Sequence, residues 1–341
     1  MRGTEFMSLS AKDVTVIDIA PFFSGTPGSK SDVAAAMAQA FEHSGFAAIV
    51  GHGVDPALIK HARSVAHDFF RLPHAEKIRV MLPQRVKTHG YIPLGVESVA
   101  ATLGEKTPSD LCEALVFGGI RFDELPPVND IERRYRRDNL WPHEPFSLRD
   151  AFTSYYWRID KLADVLMRIA ALALDLPEDW FQQFCDRRIS TMRAVLYPEP
   201  TNDPLSGQLR YGAHRDYGGL TILHQDQAIG ALQVRLPDGR WIDVRAPEGA
   251  FIVNVGDLMA RWTNDRWLSA LHRVVNPPTG ASNSRRLSLV MFTGPNYDAM
   301  IDCIPTCTDD AHPPKYPAVM AIEHTRMKID QSMISAEVDA A

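Results

Sequence analysis

The chain has 341 residues, 45% of them hydrophobic and 23% charged, with a formal net charge of −6 and a sequence pI near 6.1. That length is ample for a sizeable core, and the mildly acidic balance excludes a phosphate-tracking surface, which needs a basic stripe. No apolar run has transmembrane length, and the cysteines, Cys112, Cys185, Cys303 and Cys307, are too few and irregular for a disulfide framework. The expectation is a cytoplasmic protein with no nucleic-acid or membrane partner, acting as a monomer or weak homo-oligomer.

In chain order, "MRGTEF" precedes a second methionine, Met7, and reads as an expression leader. "VTVIDIAPF" (14–22) is β-branched and alternating, which predicts a strand. "SDVAAAMAQAFEHSG" (31–45) has helical spacing with a glycine at its exit, and "FAAIVGHGV" (46–54) returns to a strand. Asp55 and Pro56 are the N-cap and first residue of a helix over 55–73. Residues 74–146 are irregular and proline-punctuated, and read as a covering loop region carrying Tyr91, Phe117 and Trp141.

From 147 to 176 apolar residues recur at three and four positions, predicting one long amphipathic helix, with a shorter one, "PEDWFQQFC", after it. Beyond residue 190 the period becomes two. Short strands are predicted at 192–197, 220–223, 231–236, 240–244, 250–256, 272–276 and 286–292, separated by turns such as "PDG", "PEG" and "PPTG". This pattern predicts a mainly β fold with flanking helices, a sandwich or barrel of the jelly-roll or cupin kind. The expected division is 1–6 leader, 7–146 N-terminal α/β region with cover loops, 147–310 helix plus β core, and 311–341 a polar, helical tail.

The stretch "AHRDYGGLTIL" (213–223) reads as strand. Strand side chains alternate, so His214 and Asp216 share one face and Arg215 takes the other. A third ligand has to come from another strand, and His272 opens "HRVVN" several strands downstream. Two imidazoles and one carboxylate on one face of an ion suit non-haem Fe(II), with zinc the competing metal. Taken alone, "HRD" fits an ordinary surface pair better than a metal site, by roughly two to one. "RRLSL" then places Arg286 and Ser288 two apart on one strand face. A guanidinium fork with a hydroxyl receives a carboxylate well, and a buried guanidinium needs an anionic partner. An internal salt bridge is the alternative for Arg286, and Arg285 competes for the role.

These motifs together resemble the Fe(II)/2-oxoglutarate-dependent dioxygenases of the isopenicillin N synthase-like family. The resemblance runs over nearly the whole chain after Met7: "VIDIAPF", "GFAAIVGHGV" and "HDFFRLPHAEK" look like that family's leading region. "HRDYGGLTILHQD", "ALQVRLPDGRWIDV", "FIVNVGDLM", "ALHRVVNP" and "RRLSLVMF" look like its catalytic core, in the same order. It implies a double-stranded β-helix holding iron through His214, Asp216 and His272. It also implies 2-oxoglutarate chelating that iron, its far carboxylate on Arg286 and Ser288, and O2 as the second cosubstrate.

The family's Asn-x-Tyr feature falls on "VLY", which keeps Tyr197 as a third contact to the cosubstrate and puts Val195 where asparagine is usual. The implied activity is C–H oxidation of a small molecule, foremost hydroxylation, coupled to oxidative decarboxylation of 2-oxoglutarate. A 2-oxoglutarate-independent oxidase and a catalytically silent binding barrel are the alternatives. Substrate contacts are expected from Tyr91, Phe292 and Asn296, with a plain core role for the two aromatics as the competing reading. His224 reads as a strand-end histidine rather than a ligand, and Arg215 as facing the outer packing.

Overall fold

The central strands of the larger sheet have one face apolar toward a helix layer and the other toward a second sheet. The computed structural model describes residues 14–82, 89–105, 107–123, 125–200, 202–227, 230, 232–278 and 280–337, so the expected leader lies outside the described residues. In chain order the strands are β1 (Thr15–Asp18), β2 (Phe46–Val50), β3 (Gly90–Ile92), β4 (Glu113–Gly118), β5 (Thr191–Tyr197), β6 (Tyr211–His214) and β7 (Leu220–Gln225). They continue as β8 (Leu232–Arg235), β9 (Trp241–Asp243), β10 (Phe251–Val255), β11 (His272–Val274) and β12 (Arg286–Phe292), then a small pair, β13 (Met300–Ile301) and β14 (Val319–Met320). The helices are α1 (Ser29–His43), α2 (Pro56–Arg71), α3 (His74–Lys77), α4 (Asp130–Tyr135), α5 (Leu148–Ala173), α6 (Gln182–Cys185), α7 (Asp257–Trp262) and α8 (Ala321–Glu337).

The larger sheet runs β1-β2-β10-β7-β12-β5-β4-β3, and the smaller β6-β11-β8-β9. Only β1 and β2 pair in parallel; the other neighbours are antiparallel. This is the jelly-roll core expected from the period-two pattern. The larger sheet draws strands from both sides of residue 146, because β1 to β4 come from the N-terminal stretch. The segment read from sequence as covering loops therefore contains two sheet strands, β3 and β4. "EALVFG" is apolar on both faces, so it lacks the alternation that announces a half-exposed strand.

Alternation sorts the larger sheet's side chains into two cores. Leu115, Phe117, Ala194, Leu196, Leu287, Leu289 and Met291 face the helices, where α1 and α2 pack on α5. Phe152, Tyr155, Tyr156, Ile159, Leu162 and Leu166 of α5 fill that layer, at about 1.5–3 kcal/mol of transfer free energy for each large apolar side chain. Arg188 is locked beneath α5: its Nε donates to Asp160 (2.9 Å), its Nη1 to Asp164 (2.6 Å) and its Nη2 to the Asp160 carbonyl (2.6 Å). The second core lies between the sheets and combines Ala114, Val116, Val195, Leu223 and Ile252 of the larger with Leu232, Val234 and Val274 of the smaller.

Candidate metal centre

The second core opens at one end into a polar cluster. β6 and β11 pair so that His214 faces His272 and Tyr211 faces Val274, three steps on one strand against two on the other. This β-bulge turns Tyr211 and His214 to the same side, and the Tyr211 ring meets the His214 ring edge-on at 4.8 Å. Each imidazole has its Nδ1 against its own backbone, His214 on the Gly212 carbonyl (2.9 Å) and His272 on the Ala270 carbonyl (3.1 Å). With the proton on Nδ1, both Nε2 lone pairs point into the space between the strands.

Asp216 arrives differently from the sequence expectation. The strand ends at His214, so simple alternation does not carry the carboxylate inward; a turn does. That turn is pinned by the Asp257 N–H on the Asp216 carbonyl (2.7 Å), and Gly218 lies so close to Gly256 that a Cβ on Gly256 would sit 2.4 Å from the Gly218 oxygen. Oδ2 of Asp216 accepts from Thr221 Oγ1 (2.6 Å) and Asn254 Nδ2 (2.7 Å). Oδ1 is left 3.6 Å from Nε2 of both His214 and His272. Ligand atoms of all three residues lie within 4.8 Å of one another, the only such cluster of His, Cys, Asp and Glu among the described residues.

Electrostatics match a cation site. Burial, reinforced by the neighbouring His272, lowers the His214 imidazole to about 3. Burial works against the ionised form of Asp216. His272, His214 and the two hydrogen bonds outweigh it and hold the carboxyl below the usual carboxylate range. A neutral donor nitrogen beside a charged carboxylate is the state that binds a metal ion.

Further along the same interior, β12 sends Arg286, Ser288, Val290 and Phe292 to one face, opposite Tyr197, Val195, Arg193 and Thr191 of β5. Arg286 is 1% exposed; its Nη2 donates to Gln225 Oε1, its Nε is buried without a partner, and its Cζ lies 5.8 Å from the Tyr197 ring centroid. No salt bridge joins Arg286 to a carboxylate of the described residues. Burial pulls this guanidinium below its ordinary range and pushes the Tyr197 hydroxyl above its own. Such a floor suits a guest carboxylate.

The acid nearest in chemistry, Asp226, is engaged elsewhere. Its Oδ2 accepts from the Leu287 N–H (2.8 Å) and its Oδ1 from Arg63 of α2, whose Nη2 also donates to the Leu287 carbonyl (3.1 Å). That clamp grips the backbone between Arg286 and Ser288.

The remaining expected site residues separate. Phe292 pairs with Thr221 and shares its face, beside the Asp216 carboxylate. Tyr91 does not join them. It lies in the helix-side core against Phe69, its hydroxyl donating to Glu113 (2.6 Å), because β3 turns Ile92 rather than Tyr91 inward. Asn296 is also remote, tying Arg187 N (2.8 Å) to Asp186 (2.7 Å) next to α6. Arg285 stands beside His67, on the α2 side. His224 accepts from Arg63 (3.2 Å) with Phe251 at its edge, a satisfied strand histidine as expected.

Sequence reasoning passed over Thr221, Asn254, Tyr211 and the Arg193–Glu97 ion pair. Asn254 carried a signal, being one polar residue inside the buried strand "FIVNV". Arg193 inside "TMRAVLY" carried another. The β6 bulge that aims Tyr211 had none.

A jelly-roll barrel with two imidazoles and a carboxylate converging at one end, and a buried arginine along its interior that has no carboxylate partner among the described residues, is the architecture of a non-haem iron oxygenase. Residues 188–295 match the model of the 2OG-Fe(II) oxygenase superfamily, and residues 14–144 that of the non-haem dioxygenase in morphine synthesis N-terminal region. The chain belongs to the 2-oxoglutarate–Fe(II) oxygenases, the isopenicillin N synthase-like superfamily, and is an oxidoreductase using Fe(II) and 2-oxoglutarate.

It is 31% identical over 327 residues to the 2-oxoglutarate-Fe(II) type oxidoreductase hxnY of Emericella nidulans, covering 94% of this chain and 91% of that one. It is 30% identical to the homoarginine-6-hydroxylase 2-ODD-233 of Oryza sativa subsp. japonica, covering 95% and 98%. Among solved structures, a 2OG-Fe(II) oxygenase family protein from Caulobacter crescentus superimposes with a TM-score of 0.81 at 28% identity, covering 93% and 98%. A full-length Neurospora crassa protein in complex with alpha-KG and thymine does so with 0.79 at 27%, covering 95% and 97%. No helix among the described residues is long and apolar enough to cross a membrane.

Proposed function

We propose that His214, Asp216 and His272 hold Fe(II), that Arg286, Ser288 and Tyr197 receive the far carboxylate of 2-oxoglutarate, and that the chain hydroxylates a C–H bond of a small-molecule metabolite. One observation carries the reading: a buried guanidinium without a carboxylate partner among the described residues shares a barrel interior with a buried two-histidine, one-carboxylate cluster. Relatives whose names include homoarginine hydroxylation, or whose structures hold thymine or JA, support a small substrate. The acidic surface supports the same choice over nucleic acid, and a cytoplasmic monomer or weak homo-oligomer is the proposed working state.

Bound iron and 2-oxoglutarate supply the oxidant, with O2 consumed and succinate and carbon dioxide released. The chain's own share is positioning. The Gly212 and Ala270 carbonyls fix the imidazole tautomers. Thr221 and Asn254 hold one oxygen of Asp216 and aim the other at the imidazoles. Arg286 and Tyr197 orient the diacid from below, while Val195, Leu223, Val234 and Val274 keep water from the interior. Phe292, beside Thr221, is the proposed substrate contact; Tyr91, in the helix-side core, and Asn296, bound to Arg187 and Asp186, lie away from that interior.

Purified protein given Fe(II) and 2-oxoglutarate without oxygen should develop a weak visible charge-transfer band that His272→Ala lacks. In air, it should release succinate faster with its substrate present. A protein that binds Fe(II) but neither binds nor decarboxylates 2-oxoglutarate would defeat the proposal.

A further inference from the structure

Resting on that reading, we propose that the primary substrate is a small nitrogenous metabolite presenting an acceptor oxygen and an N–H group side by side. Arg193 takes the oxygen and Glu97 the N–H.

β5 sets Arg193 opposite Val290, between the Val195–Ser288 and Thr191–Phe292 pairs, so its side chain leaves the sheet on the interior face. Its Cζ lies 5.5 Å from the Tyr211 ring centroid, and that ring is 4.8 Å from the His214 ring. The guanidinium is thus one aromatic ring away from the metal cluster. Its Nη2 donates to Glu97 Oε2, while its Nε is buried and has no partner among the described residues. The two side chains are 11% and 19% exposed.

Glu97 comes from the segment covering the barrel mouth, and that segment is anchored. The Asp110 N–H donates to the Glu97 carbonyl (2.7 Å), and the Asp110 carboxyl accepts from Val99 (2.9 Å) and from Gly212 in the β6 bulge (2.9 Å). The pair therefore stands at a fixed place over the cluster, with the Tyr211 ring against it and Phe292 one cross-strand pair further along the same face.

An ion pair in a nearly dry interior is no asset to stability by itself, since apolar residues of similar volume would serve as well or better. What it offers is a cation and an anion held together, with the buried Nε–H of the cation unused. An apolar guest would leave that N–H stranded. A guest carrying only an anion would displace Glu97 and leave its charge buried; a guest carrying only a cation would do the same to Arg193. A guest with both functions keeps every buried charge partnered. Two kinds of molecule share this chemistry: an α-amino acid, through its carboxylate and ammonium, and a cyclic amide or imide, through its carbonyl and N–H.

The test uses the full chain with Fe(II) and 2-oxoglutarate, reading succinate above the uncoupled background and anaerobic binding by calorimetry. The probes are the protein amino acids, uracil and 2-pyrrolidinone, with cinnamate and salicylate as nitrogen-free acids. A nitrogenous probe should bind and stimulate. Arg193→Met should raise its KM about thirtyfold or more, with Arg193→Lys recovering part of the loss. Glu97→Gln should cost about tenfold if an amino acid is the ligand, and much less for a cyclic amide, because a glutamine oxygen still accepts.

In every variant the KM for 2-oxoglutarate and the charge-transfer band should stay at wild-type values, which shows that the site is assembled. The proposal is overturned if the nitrogen-free acids are the better ligands, if no nitrogenous probe binds, or if Arg193→Met and Arg193→Lys leave the KM unchanged. Wild-type protein that forms no succinate even uncoupled would instead overturn the oxygenase assignment of these residues.

Discussion

His214 and His272 stand directly opposite each other across the β6–β11 pairing, ring centroids 4.1 Å apart, each bonded through Nδ1 to the carbonyl two residues before it. Their orientation is therefore set by backbone, whereas that of Asp216 is set by side chains. Replacing Thr221 with Val or Asn254 with Leu should weaken metal affinity by about 10–100-fold without unfolding the chain. Titration with Co(II), followed by its visible bands, measures this; affinity equal to wild type would show the two hydrogen bonds to be idle.

Arg286 is buried, and its Nε–H has no partner among the described residues. Arg286→Gln should cost about 2–5 kcal/mol of 2-oxoglutarate binding, a rise of about thirtyfold or more in its KM. Metal content should not change. Steady-state kinetics in 2-oxoglutarate, alongside an iron assay, checks both halves.

The Arg63–Asp226 clamp holds Leu287, the residue between Arg286 and Ser288. Asp226→Asn weakens a charge-assisted hydrogen bond to a backbone N–H, and the KM for 2-oxoglutarate should rise about tenfold with kcat nearly unchanged. A fall in kcat alone would place the clamp's influence elsewhere.

Arg188 neutralises Asp160 where α5 is most buried. Arg188→Met should destabilise the fold by about 3 kcal/mol, because it leaves the buried Asp160 carboxylate with only the more distant Arg121 at 3.7 Å. The urea midpoint should drop while the KM for 2-oxoglutarate in the surviving folded protein stays constant.

Burial pushes the Asp110 carboxyl up to about 7, against hydrogen bonds from Val99 and Gly212 that favour its ionised form. Between the ordinary carboxylate range and that value the unfolded chain releases this proton while the folded chain keeps it. Stability from this group is therefore full at acid pH, falls as pH rises through that window, and is level above it. Buried His214, His224 and His324, all lowered, act with the opposite sign. The difference between wild type and Asp110→Asn isolates the carboxyl. Measured in urea across that window, the wild-type midpoint should fall relative to the variant's as pH rises, then run parallel to it.

Periodicity and residue type sufficed for the β-rich core, the long central helix and the choice of His214, Asp216 and His272, which the fold brings together. β5 and β12 in particular run close to where alternation put them, because a strand with one face toward helices and one toward a partner sheet repeats every two residues. Local pattern could not reach the non-local facts. Asp216 turns inward because Asp257, Thr221 and Asn254 hold it, and those contacts form only once β7 and β10 lie side by side. Tyr91 faces the helices because β3 pairs with β4, a strand whose two apolar faces hide its period. The bulge aiming Tyr211 depends on register between chain segments far apart in sequence, and the Arg193–Glu97 pair on a cover segment folding back over the barrel. Spacing along a strand says which side chains share a face. Which face meets the metal, and what stands opposite, follows from burial and strand pairing across the whole chain.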